Sequence, residues 1–213
     1  ANLTLKAGPV ASTGGSFNNQ SFVFGIPEDI TVSVIDGIAS FDNIELFEGS
    51  FLTQTYVYSS RNPFQKFILP NIGIDLDSLV VSVRPSVQSS VTTKYSRQDE
   101  LFDSVTKSII NENSNIYFVQ EVEGEQYEVI FGDGVFGKAL EDGNVVEMSY
   151  IVSSGSDGNG VSSFSFAGSI SYVRNSVQIS VTSGISLITP NSSSSGGESI
   201  ESIDSIRKYA PQV

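Results

Sequence analysis

The sequence predicts a mainly β fold, arranged as two or three antiparallel β units with short helices, within a fragment of a larger multidomain protein. Apolar residues alternate with polar ones in segment after segment, and clusters of Gly, Asn and Asp separate these segments. Alternation with period two is the pattern of half-buried strands. Charged residues make up only 16% of the 213 residues. Ser, Thr, Asn and Gly are abundant instead of charged residues. Ser, Asn and Gly favour turns over helix interiors.

Six segments carry the alternating pattern most clearly. Each segment places large aliphatic or aromatic side chains on one face, as a strand with one buried face requires. The alternating sets are Phe22, Phe24 and Ile26; Ile30, Val32 and Val34; Leu79, Val81 and Val83; Tyr127, Val129 and Phe131; Val146, Met148, Tyr150 and Val152; and Val177, Ile179 and Val181.

Short turn signals between these segments predict antiparallel hairpins. They include Asp36-Gly37, Glu123-Gly124 and Asp142-Gly143. The clearest predicted hairpin pairs residues 127–131 with residues 145–152 through a connection over 132–144.

Helical signal is limited to two stretches. Residues 97–110 carry apolar side chains at i, i+4 and i+8, and residues 198–210 carry an apolar stripe of isoleucines. The second stretch follows Ser195-Gly196-Gly197-Glu198, which has the spacing of a capping box. Its stripe predicts a partner outside the chain, which is one reason to expect an excerpt. Residues 192–197 are predicted to be a flexible linker because they are only Ser and Gly.

These elements predict four consecutive regions. Residues 1–46 form an N-terminal β unit, and residues 47–96 form a middle antiparallel β unit. Residues 97–190 form a β hairpin unit with a short helix, and residues 191–213 hold the linker and the start of a C-terminal helix.

Composition restricts the possible functions. The chain has 11 basic and 24 acidic residues, a net charge of −13, so its field repels phosphate backbones and disfavours nucleic-acid binding. No apolar stretch approaches the ~20 residues of a membrane span, so no membrane partner is expected.

The chain has neither Cys nor His. Ser-His-Asp and Cys-His catalysis, disulfides and the usual zinc sites therefore cannot be built from it, and neither enzymatic activity nor a cofactor is expected.

Residues 132–137 match G-x-G-x-x-G and follow a predicted strand. A dinucleotide-binding turn needs a helix directly afterwards, but only residues 138–143 precede the next predicted strand. A structural turn that uses positive φ is therefore the favoured interpretation. Its predicted residues are Gly132, Asp133, Gly134, Gly137, Gly143 and Asn144.

Two further kinds of site are weaker alternatives. The acidic clusters Asp36, Asp42, Glu45 and Glu48, and Asp133, Glu141 and Asp142, could serve glycoside hydrolysis or calcium binding. Asp157-Gly158-Asn159-Gly160 resembles part of a calcium loop, but it lacks the spaced acidic ligands and the closing Glu twelve residues after the first ligand. Solvated turn acids are the favoured interpretation of all these carboxylates. Tyr56, Tyr58, Tyr95 and Tyr117 could stack on sugars, but a core or interface role is the default for aromatic residues on strands.

Residues 127–138, Tyr-Glu-Val-Ile-Phe-Gly-Asp-Gly-Val-Phe-Gly-Lys, followed by Gly143-Asn144-Val145-Val146 and Tyr150, resemble a known pattern. The pattern is similar to that of the baseplate wedge proteins of contractile-tailed, T-even-like phages, and more loosely to the baseplate J-like family. Residues 48–56, 67–71, 79–86 and 196–211 resemble the family in the same order. The resemblance spans about residues 46 to 211.

The resemblance implies a structural component of a phage tail baseplate wedge, which connects neighbouring subunits and wedges in the baseplate ring. It implies other wedge subunits as partners, a homodimer of the full-length protein, and no cofactor. It further implies a location in the virion tail baseplate after assembly in the host cytoplasm. The alternatives are a host-recognition or glycan-binding β module and, less favoured, a carboxylate-based hydrolase.

Overall fold

The computed structural model describes residues 1–13, 17–98, 110–188 and 192–198. These residues form fifteen β-strands and one 3-10 turn, so the predicted mainly β fold is confirmed. The predicted helices near residues 97–110 and 198–210 lie outside the described residues except at their ends.

The chain divides into two compact units. Unit 1 comprises the described parts of Ala1–Ser50 and Val152–Val213, and unit 2 is made from Phe51–Ile151. The sequence predicts consecutive regions with boundaries after residues 46, 96 and 190, whereas unit 1 is discontinuous. The reason is that the first strand hydrogen-bonds to a strand far along the chain, with Thr4 opposite Ser171. Hydrophobic alternation identifies strands but carries no information about distant partners.

Unit 1 contains two four-stranded sheets. One has the order β15-β14-β1-β4 and the other the order β13-β2-β3-β5. The strands are β1 (Asn2–Leu5), β2 (Gly8–Ser12), β3 (Val23–Ile26), β4 (Ile30–Ser33), β5 (Phe47–Glu48), β13 (Ser165–Phe166), β14 (Ile170–Arg174) and β15 (Val177–Val181).

Both sheets contribute to one core in unit 1. Leu5 and Ile170 come from the first sheet, and Val10 and Ile26 come from the second; all four are buried in one cluster. A second cluster contains Ala11, Phe22, Phe24 and Val161. The predicted alternation of Phe22, Phe24 and Ile26 therefore corresponds to a buried face.

Unit 2 is built around a seven-stranded sheet with the order β6-β12-β8-β9-β10-β11-β7. Most pairings are antiparallel, but β9 and β10 are parallel, with Ile116 opposite Ser96. The strands are β6 (Ser50–Val57), β7 (Phe67–Leu69), β8 (Ile74–Arg84), β9 (Thr93–Arg97), β10 (Ile116–Val122), β11 (Gln126–Phe131) and β12 (Val145–Val152).

This sheet curls into a nearly closed barrel. Its two end strands meet where the Tyr56 hydroxyl of β6 donates a hydrogen bond to the Ile68 carbonyl of β7, at 2.8 Å. The ring of Phe67 makes T-shaped contacts with the rings of Tyr56 and Phe131. Closing a sheet on itself covers both edges, which otherwise present unpaired backbone groups.

The predicted hairpin between residues 127–131 and 145–152 is wrong. β11 lies between β10 and β7, whereas β12 lies between β6 and β8. The true hairpin partner of β11 is β10, and their turn contains Gly124 and Glu125, both with positive φ. A short turn fixes two strands as neighbours, whereas the long connection over residues 132–144 allows the chain to continue into a strand elsewhere in the sheet.

Residues 192–198, hereafter the strap, are docked against unit 1 by hydrogen bonds rather than forming the predicted flexible linker. Ser194 exchanges backbone hydrogen bonds with Gly160 and Val161, each 2.8 Å long. Gly197 bonds the side chain of Asn159 through both its N–H, at 3.0 Å, and its carbonyl, at 2.8 Å. A Cβ on Gly197 would lie 2.2 Å from the Gly155 carbonyl oxygen. The small residues that suggested flexibility instead permit close backbone approach.

Candidate functional site

The candidate site is the connection over residues 132–144 of unit 2, hereafter the glycine loop. It leaves β11 after Phe131 and enters β12 at Val145. All six residues of the predicted turn motif lie in it, four at its beginning and two at its end. Gly134, Gly137 and Gly143 have φ of +88°, +87° and +85°, a region that L-residues with side chains rarely adopt.

The first half of the glycine loop folds back tightly on itself. A Cβ on Gly132 would lie 2.2 Å from the carbonyl carbon of Gly137, so only glycine permits this approach. The Gly134 N–H donates to the Gly137 carbonyl at 3.0 Å, and the Gly137 N–H donates to the Asn111 carbonyl at 3.0 Å. These contacts fix the loop both to itself and to the segment that precedes β10.

Asp133 organises the tip of the glycine loop. Its Oδ1 accepts hydrogen bonds from the backbone N–H groups of Val135 and Phe136, both at 2.9 Å. These two bonds favour the ionised carboxylate, and they lower the pKa of Asp133 below its ordinary value. The carboxylate is thus used inside the loop, as in an Asx-type turn.

The second half of the loop is anchored by Asp142, Gly143 and Asn144. The Asp142 carboxylate accepts from the Ser60 N–H at 2.7 Å and from its hydroxyl at 3.0 Å, and these bonds lower the pKa of Asp142. Gly143 and Asn144 exchange backbone hydrogen bonds with Tyr58. These bonds extend the pairing of β12 with β6 beyond the end of the strand.

The Asn144 side chain ties the loop to a second segment. Its Oδ1 accepts from the Glu141 N–H at 2.9 Å, and its Nδ2 donates to the Pro85 carbonyl at 3.2 Å. Asparagine supplies both an acceptor and a donor from one side chain, which Asp cannot do when ionised.

The anchored loop exposes two large apolar side chains at its tip. Val135 is 65% exposed and Phe136 is 52% exposed, although both backbone N–H groups are bound by Asp133. A fixed backbone that presents apolar side chains to solvent suits contact with another protein, because little ordering is required on binding. Neither residue is among the turn residues predicted from the sequence, although two apolar side chains inside a glycine-rich turn are an unusual pattern.

The described residues do not form the dinucleotide-binding turn or a cluster of metal ligands. Within residues 138–144 no helix follows the glycine motif, so the helix N-terminus of a dinucleotide site is missing. Among the described residues, no group of three or more potential metal ligands occurs. Glu48, from the first acidic cluster, accepts three hydrogen bonds from Ser153 and Ser154.

The tyrosines considered for sugar stacking are largely committed to packing. Tyr95 and Tyr117 are 4% and 2% exposed, and the hydroxyl of Tyr56 bonds to β7. Burial, followed by the nearby Glu141 carboxylate, raises the pKa of Tyr95 above its ordinary value. A buried ring has no free face for a sugar.

Comparisons with known proteins give no assignment. A scan against models of protein families and a search of curated protein sequences each found no match. Within the part of the chain that the structure describes, no helix has the length and apolar character of a membrane span.

Proposed function

We propose that this chain is a structural component of a phage tail baseplate wedge, which connects neighbouring subunits and wedges in the baseplate ring. The observation that carries the proposal is the glycine loop. The segment that resembles the wedge family forms a rigid turn with Val135 and Phe136 exposed at its tip. The partners are other wedge subunits and, in the full-length protein, a second copy. The place of action is the virion tail baseplate, after assembly in the host cytoplasm.

Three features of the loop support a role in assembly. Its backbone N–H groups donate hydrogen bonds to the Asp133 carboxylate, the Asn111 carbonyl and the Asn144 side-chain oxygen, so the tip is preorganised. Its exposed side chains are a valine and a phenylalanine, and aromatic residues are enriched at the centres of interfaces. The carboxylates of Asp133 and Asp142 accept hydrogen bonds from backbone N–H groups inside unit 2, so these two acids serve the structure of the loop.

Association with other tail proteins tests the proposal. We expect the parent protein to co-sediment with baseplate wedge subunits, and the double substitution Val135→Ser and Phe136→Ser to weaken that association by about tenfold or more, because buried aromatic anchors dominate interfaces. The matched control is Val87→Ser, since Val87 is exposed to 62%, close to the 65% of Val135, and lies in another loop of unit 2.

The outcomes separate the hypotheses. An equal loss of association in the double variant and in the Val87→Ser control would mean that the contact does not involve the tip of the glycine loop. Failure of the unmodified parent to associate with any tail protein would contradict the wedge proposal itself. Binding of the isolated chain to a glycan array would instead favour the host-recognition module, and clearing of cell walls in a zymogram would favour a hydrolase.

A further inference from the structure

The strap covers a chemically reactive pair of residues. Asn159-Gly160 is the only Asn-Gly sequence among the 213 residues, and it follows the 3-10 turn Gly155–Gly158. Because glycine has no side chain to hinder its nitrogen, this sequence allows the Gly160 nitrogen to attack the side-chain amide carbon of Asn159. The new N–Cγ bond closes a succinimide ring, and the side-chain nitrogen leaves as ammonia with the proton from Gly160. Water then opens the ring to Asp or isoaspartate.

The strap holds both reacting groups away from this reaction. The Asn159 amide donates through Nδ2 to the Gly197 carbonyl at 2.8 Å and accepts through Oδ1 from the Gly197 N–H at 3.0 Å. The attacking nitrogen of Gly160 donates its proton to the Ser194 carbonyl at 2.8 Å. The ψ of Asn159 is 146°. Ring closure requires the Gly160 nitrogen to be nearly eclipsed with the Asn159 Cβ atom about the Cα–C bond of Asn159. With this ψ, the two atoms point in different directions.

The strap itself is attached almost entirely by polar contacts. Its residues are Ser192 to Ser195, Gly196, Gly197 and Glu198, so it buries no apolar side chain of its own. Segments held by hydrogen bonds without apolar burial open locally at a lower free energy than the core. The strap can therefore open while the two sheets of unit 1 stay folded.

We propose that Asn159 is a deamidation site whose reactivity is controlled by the strap. While the strap is closed, the amide of Asn159 and the nitrogen of Gly160 are both held in hydrogen bonds. When it opens, the succinimide forms. The product carboxylate has no N–H to donate to the Gly197 carbonyl and faces its oxygen instead, so modification prevents the strap from closing in the same way. Deamidation thus makes release of the strap irreversible.

Peptide mapping by mass spectrometry tests this on the whole chain incubated at mildly alkaline pH. Ser194→Ala removes a 2.6 Å hydrogen bond to the Gly158 carbonyl and a 2.9 Å bond from the Val161 N–H. Loss of two such bonds raises the open fraction roughly tenfold or more, and we expect deamidation of Asn159 to accelerate by the same factor. Ser195→Ala, at the exposed neighbour in the strap, should leave the rate unchanged.

An internal reference and a second variant complete the test. Asn175-Ser176 lies in the turn between β14 and β15, and its deamidation should not respond to Ser194→Ala. Asn159→Asp should accelerate hydrogen exchange at the Gly197 amide while exchange in β14 stays slow, and this result does not depend on how well the Ser194→Ala variant folds. Equal deamidation rates in wild type and in a folded Ser194→Ala variant would overturn the proposal, as would unchanged exchange at Gly197 in the Asn159→Asp protein.

Discussion

Replacement of Gly137 with alanine tests whether the glycine loop is fixed by backbone geometry. Gly137 has a φ of +87°, and an added Cβ would lie 2.7 Å from the Ile116 Cγ1 atom and 3.2 Å from the Gly132 Cα atom. The left-handed backbone costs a residue with a Cβ about 1–2 kcal/mol, and overpacking a buried site adds about 1–3 kcal/mol. We therefore expect the free energy of unfolding to fall by roughly 2–5 kcal/mol.

Gly143→Ala is the matched control, because Gly143 has a φ of +85° but a Cβ there meets nothing within 4 Å. It should lose only the backbone contribution, about 1–2 kcal/mol. Urea unfolding followed by tyrosine fluorescence measures the stability of both variants, because unit 2 contains several tyrosines that report on its unfolding. They are Tyr56, Tyr58, Tyr95, Tyr117, Tyr127 and Tyr150. Equal midpoint shifts for the two variants, at unchanged m-value, would refute the close-packing argument.

Three further perturbations probe the barrel and the loop. Titration of the Asp133 carboxyl by NMR should give a pKa below that of an ordinary aspartate. The contribution of this carboxylate to loop stability is present above the unfolded pKa and is lost as pH falls through the folded pKa, and an unperturbed pKa would contradict the Asx-type turn. Ser78→Ala should destabilise unit 2 by about 1–3 kcal/mol in urea unfolding, because Ser78 is fully buried and its hydroxyl accepts the Ile151 N–H at 2.9 Å; a neutral effect would mean that this N–H finds another acceptor. Met148→Ala should cost about 2–5 kcal/mol at a fully buried position, whereas Val91→Ala, at a 66% exposed position, should change stability by less than about 0.5 kcal/mol.

Local hydrophobic alternation identified β3, β4, β8, β11, β12 and β15, six of the fifteen strands among the described residues. The set Leu79, Val81 and Val83 was predicted to share a face, and all three side chains are buried in β8. The turn at Glu123-Gly124 was also a visible signal, and it joins β10 to β11. These features depend on neighbouring residues alone, since the period of two and the φ preferences of glycine are local properties.

Strand pairing depends on distant residues and was not predictable in the same way. The long connection before β12 looks like a hairpin in sequence, yet β12 lies beside β6 and β8. The docked strap is a similar case, because Ser and Gly composition is compatible with either a free linker or a closely packed segment. Its docking depends on two distant contacts, the hydrogen bonds of Ser194 with Gly160 and Val161 and those of the Asn159 side chain with Gly197.

The candidate site shows the same division between local and distant information. The glycines and Asp133 can be recognised from sequence as residues of a tight turn. The anchor at the Asn111 carbonyl and the exposure of Val135 and Phe136 cannot, because both depend on where β10 and β11 lie in the barrel. Sequence therefore indicates where the loop bends, and the fold determines which side chains it presents.

A cryo-electron microscopy map of the assembled particle that contains the parent protein tests the proposed role most directly. The wedge proposal predicts that this chain occupies the baseplate ring and that the tip formed by Val135 and Phe136 is buried against a neighbouring subunit. A map that places the chain at a peripheral receptor-binding position, or that leaves the glycine loop facing solvent in every copy, would contradict it.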